Sequence, residues 1–255
     1  ECSIFHNTGH ITLWPSMAVL DDGRIAFNPA DSAICLYDPA CGECSTIFKK
    51  HKTVFRALAV LADGRLATGS SGGTIFLLNP DSGICNAVLR GHNDSVICLT
   101  VLGDKRLVSS SSDKTVRIWN PINGECSAVL QEHGDTITAL TVLFDGRFAS
   151  GSEQTIRVWD PDSGKCTTAL HGHWCSLSAL AVLGDGRLVY GSYDGTICFL
   201  NPDSGECSTP FQGHVHAVSA LAVLSDGRLV SGSWDKTIRL WDPDSAIPKI
   251  GRAHV

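Results

Sequence analysis

The sequence predicts an all-β protein, a β-propeller of six four-stranded antiparallel blades. Two observations lead to this fold class. A histidine recurs every 40 or 41 residues through the 255-residue chain, at His10, His51, His92, His133, His173 and His214. Each period contains four short runs typical of strands, separated by turn residues, and no run has helical periodicity. Strands repeated at this spacing are typical of propeller blades.

The unit that starts at His92 shows the four strands in order. Val96 to Leu102 is an apolar run, as expected of a buried strand, and Arg106 to Ser109 returns beside it. In most units the turn between these two strands is Asp-Gly, which favours a tight hairpin because both central residues can adopt positive φ. Thr115 to Trp119 alternates with the two-residue strand period, and Cys126 to Leu130 makes the fourth strand after a proline turn.

Composition excludes several classes of protein. Hydrophobic residues make up 43% of the chain and charged residues 18%, which is too apolar for a disordered protein. No apolar run reaches the ~18 residues that span a bilayer, so we expect no membrane segment. The net charge of -6 argues against nucleic-acid binding. Five of the 11 cysteines recur one whole unit apart, too far for disulfides, which predicts free thiols in a cytoplasmic protein.

The units resemble WD repeats. Gly91-His92, Gly172-His173 and Gly213-His214 match the Gly-His start of that family, and Trp159-Asp160 and Trp241-Asp242 match its closing dipeptide. The match covers residues 10 to 245, although four units depart from the dipeptide, at Tyr37-Asp38, Leu78-Asn79, Trp119-Asn120 and Leu200-Asn201. The resemblance implies a non-catalytic scaffold that binds proteins or peptides and has no cofactor and no metal.

The resemblance also implies a hydrogen-bonded tetrad of His, Ser, Asp and Trp within a blade. Carried over by position, the third unit supplies His92, Ser109, Asp113 and Trp119, and the sixth supplies His214, Ser231, Asp235 and Trp241. A Ser-His-Asp set could also suggest a hydrolase. Because the set recurs in more than one unit, we interpret it as structural and predict no catalytic residue.

Two further motifs have competing interpretations. An arginine follows the first hairpin turn of every unit and could bind phosphate, but the turn aspartates beside these arginines favour a self-paired surface. Cys41 and Cys44 form a single C-x-x-C, which we interpret as a turn rather than a zinc site. Oxidation of this pair is the thiol chemistry that the sequence favours most.

The loops after each histidine and before each tetrad aspartate share one face, which is the usual binding face in WD-repeat proteins. Reading those positions predicts a partner-binding surface over units five and six, built mainly from large aromatic residues, with Lys52 and Asn93 on the same face: Trp174, Tyr193, His216, Trp234, Lys52 and Asn93. One alternative is that the aromatic rings only pack on each other. Another is that the propeller binds a small molecule or glycan in its central channel or between blades. We expect the domain to be a monomer.

The two ends of the chain carry separate expectations. Cys2 to Phe5 resembles a fourth strand, so we expect it to pair with Ile238 to Trp241 and to complete the last blade. Residues 1–249 then form one propeller domain. Residues 250–255 can be encoded by the first bases of a common sequencing adapter, which predicts an artificial tail on a fragment of a longer protein whose propeller has six or more blades.

Overall fold

The computed structural model describes residues 16–29, 32–50, 53–171, 177–208, 210–243 and 251–254. These residues form antiparallel strands, and none of them forms a helix that is long and apolar enough to cross a membrane. The chain divides into two compact units, Glu1–Val129 and Leu130–Val255. Each unit contains three consecutive sheets, with the last strand of the third sheet ending at the boundary.

The first unit contains sheets one to three, and neighbouring strands in the sequence are neighbours in each sheet. Sheet one consists of β1 (Met17–Val19), β2 (Ile25–Phe27), β3 (Ala33–Asp38) and β4 (Glu43–Lys49). Sheet two consists of β5 (Phe55–Val60), β6 (Leu66–Ser70), β7 (Thr74–Leu78) and β8 (Cys85–Arg90). Sheet three consists of β9 (Val96–Val101), β10 (Leu107–Ser111), β11 (Val116–Trp119) and β12 (Cys126–Leu130).

The second unit contains sheets four to six with the same up-and-down order. Sheet four consists of β13 (Ile137–Val142), β14 (Phe148–Ser152), β15 (Thr155–Trp159) and β16 (Cys166–His171). Sheet five consists of β17 (Leu177–Val182), β18 (Leu188–Ser192) and β19 (Ile197–Leu200). Sheet six consists of β20 (Val218–Val223), β21 (Leu229–Ser233), β22 (Thr237–Trp241) and β23 (Gly251–His254). The all-β fold class with six antiparallel propeller blades is therefore confirmed.

The hairpin turns form as type I turns followed by one residue with positive φ, rather than as turns with two such residues. In sheet two the Gly64 N–H donates to the Leu61 carbonyl, and the Leu61 N–H donates to the Arg65 carbonyl. Gly64 has φ of 81°, whereas Asp63 does not have positive φ. The Asp-Gly pair thus works through a glycine bulge, because the type I turn needs only the residue after it to be left-handed.

The hydrophobic core of each unit lies between consecutive sheets. Strands β6, β10, β14 and β18 are buried along their whole length. Glycines in β14 and β18 allow the close approach: a Cβ on Gly151 would lie 2.6 Å from Leu177, and one on Gly191 would lie 2.6 Å from Val218. The first strand of one sheet therefore packs directly on the second strand of the sheet before it.

Sheet five has three strands among the described residues, whereas four were predicted. The described part of the segment after β19 makes two isolated bridges, from Leu200 to Cys207 and from Ile197 to Phe211. Pro210 stands in this segment where sheets three and four have Val129 and Ala169. Ile197 and Phe211 exchange both backbone hydrogen bonds, so the nitrogen of Pro210 faces away from β19, where an edge strand tolerates a proline.

The fourth strand of sheet six comes from the C-terminal end of the chain, which corrects the predicted pairing of Cys2 to Phe5. β23 pairs with β22, with Thr237 opposite His254 and Leu240 opposite Gly251. Because β21 occupies the other edge of β22, both edges of that strand are already paired. Residues 1–15 lie outside the described part of the chain. The adapter origin of residues 250–255 stays a prediction.

Candidate functional site

The tetrad residues of sheet three meet in a buried hydrogen-bonded chain. The Trp119 indole N–H donates to Ser109 Oγ (2.8 Å), and Ser109 Oγ lies 2.7 Å from His92 Nε2. His92 Nδ1 lies 2.9 Å from Asp113 Oδ2, and the backbone N–H of Asn93 donates to the same carboxylate oxygen (2.9 Å). An ionised carboxylate only accepts hydrogen bonds, so Nδ1 carries the imidazole proton and Nε2 accepts from the serine.

Sheet six repeats this arrangement with nearly the same distances. Trp241 Nε1 lies 2.6 Å from Ser231 Oγ, which lies 2.7 Å from His214 Nε2. His214 Nδ1 lies 2.8 Å from Asp235 Oδ2. Ser109 and Ser231 are both fully buried. The set therefore joins the loop after each histidine to the buried second strand of its sheet.

The electrostatics of the tetrad favour a neutral histidine beside an ionised aspartate. Burial lowers the pKa of His92, against the opposing effect of Asp113. Burial alone would raise the pKa of Asp113, but hydrogen bonds from Thr115, the Asn93 backbone and His92 outweigh it and lower this pKa to about 2. The pKa of Asp235 is held still lower in the same way. Both aspartates therefore stay charged at neutral pH.

A fifth residue, which the sequence reasoning missed, completes each tetrad. Thr115 Oγ1 donates to Asp113 Oδ1 (2.7 Å) and lies 3.1 Å from His92 Nδ1. Thr237 makes the equivalent contacts with Asp235 (2.5 Å) and His214 (3.2 Å). The signal was present in the sequence, because a threonine stands two residues after each tetrad aspartate.

Sheet four keeps part of the network without an aspartate. His133 Nε2 lies 2.6 Å from Ser150 Oγ, and Trp159 donates to the same serine (2.7 Å). The shorter turn at Glu153 leaves His133 Nδ1 facing Thr155 Oγ1 (3.0 Å) instead of a carboxylate. Burial and then the nearby Arg157 charge lower the pKa of His133 to about 4.

Sheet two has lost the network at the same positions. Thr68 stands where Ser109 stands in sheet three, and Leu78 stands where Trp119 stands. The Thr68 hydroxyl is buried and has no hydrogen-bond partner among the described residues. Among the described residues this hydroxyl therefore contributes no hydrogen bond, and His51, the histidine of this unit, lies outside them.

The six hairpin arginines are paired with aspartates, as predicted. Each guanidinium lies 2.5–2.7 Å from the aspartate two residues before it: Arg24–Asp22, Arg65–Asp63, Arg106–Asp104, Arg147–Asp145, Arg187–Asp185 and Arg228–Asp226. Two of them also reach the next sheet of their unit, Arg24 to Asp81 (2.6 Å) and Arg147 to Asp203 (2.7 Å). These carboxylates already neutralise the arginines, which does not favour a phosphate site.

Exposed aromatic rings lie side by side on the loops of sheets five and six. The rings of Tyr193 and Trp234 pack edge to face, with centroids 5.8 Å apart and an interplanar angle of 83°. Trp234 is nevertheless 51% exposed and Tyr193 is 37% exposed. Val215 (74% exposed) and His216 lie on the loop that follows His214. We call Tyr193, Val215, His216 and Trp234 the aromatic surface.

Backbone contacts position the aromatic surface. The Trp234 N–H donates to the Ala217 carbonyl (3.0 Å), and Ser233 Oγ donates to the His216 carbonyl (2.9 Å). Burial and the nearby negative charge of Glu153 raise the pKa of Tyr193. Glu153, Tyr193 and Trp234 occupy the same turn position in three consecutive sheets of the second unit.

The remaining predicted surface residues are not joined to this set. Trp174 and Lys52 lie outside the described residues. Asn93 is exposed in the first unit, and its described contact is the backbone bond to Asp113. Sequence reasoning missed Val215, whose exposure depends on how the loop after His214 turns.

Two shallow cavities lie away from the aromatic surface. One, of about 210 Å³, is lined by hairpin residues that include Phe144, Arg147 and Asp203, and its arginine is already paired. The other, of about 480 Å³, lies beside Asp38 and Cys44. Neither Tyr193 nor Trp234 lines either cavity. The aromatic rings are therefore not part of the wall of these two cavities.

The described cysteines are free thiols, as the sequence predicts: Cys35, Cys41, Cys44, Cys85, Cys98, Cys126, Cys166, Cys198 and Cys207. Among the described residues, no group of three or more His, Cys, Asp or Glu side chains could hold a metal ion. In the C-x-x-C segment, Cys41 Sγ lies 4.0 Å from the Asp38 carbonyl, and the thiol that interacts with Cys44 is Cys35.

A family model described as WD domain, G-beta repeat, matches four consecutive segments, residues 83–120, 124–160, 164–201 and 205–242. No curated protein matches the chain. The first three matched segments begin before the fourth strand of one sheet and end after the third strand of the next, and the last segment begins before Cys207 and ends after β22. The sequence repeat is therefore offset from the sheet by one strand. These segments cover more than half of the chain and contain both complete tetrads, so the chain belongs to the WD-repeat family.

Proposed function

We propose that this protein is a non-catalytic interaction scaffold whose aromatic surface binds a protein or peptide partner. WD-repeat propellers generally act as protein-interaction scaffolds. The observation that carries the finer proposal is the exposure of Trp234, a large ring on a loop that its own backbone hydrogen bonds hold in place. Trp and Tyr are the residues most enriched at the energetic centres of interfaces.

The exposed area is large enough to matter for binding. A tryptophan side chain that is half exposed leaves roughly 100 Å² in water, and covering it contributes about 2–3 kcal/mol. The edge-to-face contact with Tyr193 stabilises both rings before a partner arrives, so little side-chain entropy is lost on binding. Exposed rings that line neither of the two cavities favour a protein partner over a small molecule, which needs a concave site.

The tetrads support the proposal that the protein is non-catalytic. Their serines are the only side chains that the Ser-His-Asp pattern offered as nucleophiles, and both are fully buried beneath tryptophan rings. We also propose that the domain acts as a monomer in the cytoplasm. Sedimentation of the purified chain and fractionation of cells that express it test these two points.

The experiment compares proteins that the full chain and its variants retain from a cell lysate. Trp234→Ser introduces the residue type that sheet three has at this turn position, Ser112. Phe144→Ser is the matched control, because Phe144 is 73% exposed on a hairpin turn outside the aromatic surface. Thermal unfolding of all three proteins verifies that each is folded.

We expect the chain and the Phe144→Ser variant to retain the same partner, and the Trp234→Ser variant to lose it at least about tenfold, because about 2–3 kcal/mol of apolar contact is removed. Retention of the same proteins by the Trp234→Ser variant at an unchanged melting temperature would overturn the proposed surface. A lower melting temperature with unchanged binding would assign the rings to packing alone.

A further inference from the structure

One position in the third strand distinguishes sheet five from its neighbours. In sheets three and four this position holds an arginine whose guanidinium lies close to the first cysteine of the fourth strand: Arg117 lies 3.8 Å from Cys126, and Arg157 lies 3.6 Å from Cys166. In sheet five Cys198 stands at the arginine position and Cys207 at the cysteine position. The arginine and cysteine pair has become a pair of thiols.

The register places both thiols on the same face of sheet five. Cys207 lies opposite Leu200, and Cys198 is two residues before Leu200, so both side chains point the same way. The thiol of Cys207 and the residue opposite Cys198 are close to each other on this face. Tyr190, which lies opposite Cys198, brings its hydroxyl to 3.7 Å from Cys207 Sγ.

The two cysteines differ in solvent exposure and in how regularly their backbone segments are paired. Cys207 is exposed, whereas Cys198 is buried at 3% exposure. The described part of the segment that carries Cys207 pairs with β19 through two isolated bridges and not through a continuous ladder. A disulfide needs Cβ atoms about 4 Å apart, closer than a diagonal pair in a regular sheet. The loosely paired edge can supply that adjustment.

We propose that Cys198 and Cys207 are an oxidisable dithiol that a low-molecular-weight disulfide such as oxidised glutathione converts to a disulfide within sheet five. The exposed Cys207 thiolate attacks one glutathione sulfur, which forms a mixed disulfide and releases the first glutathione thiolate. The Cys198 thiolate then attacks the Cys207 sulfur, which forms the protein disulfide and releases the second. The two cysteine protons end on the two glutathiones, so two protein thiols are oxidised and one external disulfide is reduced.

Burial raises the pKa of Cys198 to about 11, so the second step limits the rate at neutral pH. The rate of disulfide formation should therefore rise with pH. Sheet one has a comparable pair, Cys35 and Cys44, but there the fourth strand is continuous over Glu43–Lys49. Although the register of this pairing shifts between Ile34 and Cys35, the strand is paired from end to end and resists the adjustment, so we expect the sheet-one pair to oxidise more slowly.

The experiment treats the full chain with oxidised glutathione, blocks the remaining thiols, and maps the peptides by mass spectrometry. We expect a peptide in which Cys198 and Cys207 are joined, formed at least about tenfold faster than any modification of Cys126 or Cys166, which have no second thiol beside them. Cys198→Ser should trap glutathione on Cys207. Cys207→Ser should leave Cys198 reduced, and Cys166→Ser is the control that should change neither.

Glutathione that stays on Cys207 of the unsubstituted chain while Cys198 remains free would overturn the proposal. So would a bond from Cys207 to another cysteine, or loss of these thiols no faster than that of Cys126. If a variant fails to fold, peptide mapping of the unsubstituted chain still decides between these outcomes, because the joined peptide is identified without any substitution.

Discussion

The buried hydroxyl at the centre of each sheet offers a direct test of what the tetrad contributes to stability. Ser109 and Thr68 occupy the same position in consecutive sheets of the first unit, and both are fully buried. Ser109 Oγ has a histidine and an indole as partners, whereas Thr68 Oγ1 has no partner among the described residues. Removing each hydroxyl should therefore have effects of opposite sign.

Ser109→Ala leaves the Trp119 N–H and His92 Nε2 unpaired in the core. Leaving a buried polar group unpaired costs about 1–3 kcal/mol, so the free energy of unfolding should fall by about 2–5 kcal/mol. Thr68→Val keeps the side-chain shape and replaces an unpaired hydroxyl with a methyl group. Because no hydrogen bond is lost and a buried polar atom is removed, the free energy of unfolding should rise by about 1 kcal/mol.

Urea unfolding followed by circular dichroism measures both changes, provided that the slope of the transition is unchanged. Ser112→Ala is the control, because a substitution outside the network should change stability by no more than about 0.5 kcal/mol. A Ser109→Ala midpoint equal to that of the control would show that the tetrad adds nothing. A loss of stability in Thr68→Val would show that its hydroxyl has a partner.

Two further predictions follow from single residues in the second unit. His133 has a pKa of about 4 in the folded chain, against 6.5 for an unperturbed histidine. As the pH falls, the unfolded chain therefore binds the proton before the folded chain does. Roughly 3 kcal/mol of folding stability should be present above pH 6.5 and be lost as the pH falls to about 4. Urea midpoints across this range should show the loss, and His133→Gln should flatten it; an equally steep slope in that variant would contradict the assignment. Gly195→Ala should lower stability by about 2–4 kcal/mol, since its Cβ would lie 2.4 Å from the His214 carbonyl oxygen, whereas Gly186→Ala, which also has positive φ but open space, should cost about 1–2 kcal/mol. Thermal unfolding distinguishes the two glycines, and equal losses would refute the steric argument.

The features that recur in the sequence were predictable, because each unit supplies an independent copy of the same signal. The spacing of the histidines located all six sheets, and the residue types at four positions located the tetrads around His92 and His214. Periodic patterns predict strands well because side-chain direction alternates along any strand, whatever lies beside it. The hairpin ion pairs followed from the same regularity, since each arginine stands two residues after an aspartate.

The features that depend on edges were not predictable from the pattern. The last edge of sheet six could be filled by any segment with strand character, and periodicity does not say which segment reaches it, so Cys2 to Phe5 was the wrong choice. The contact between Cys44 and Cys35 was missed because sequence proximity favoured Cys41, whereas strand pairing brings residues together by register.

Arginine stands at the third-strand position in the sheets that have tryptophan two residues later, and the thiol pairs occur where that tryptophan is absent. The Arg117 guanidinium lies 5.9 Å from the centroid of the Trp119 ring, and its buried Nε has no hydrogen-bond partner among the described residues. A buried guanidinium with an unpaired nitrogen is costly, and the ring face offsets part of that cost. In sheet five, where Leu200 replaces the tryptophan, nothing would offset it. A small apolar thiol such as Cys198 fills the space without the cost of an unpaired buried nitrogen. The absence of the tetrad tryptophan and the presence of the thiol pair are therefore linked differences in the core of this sheet.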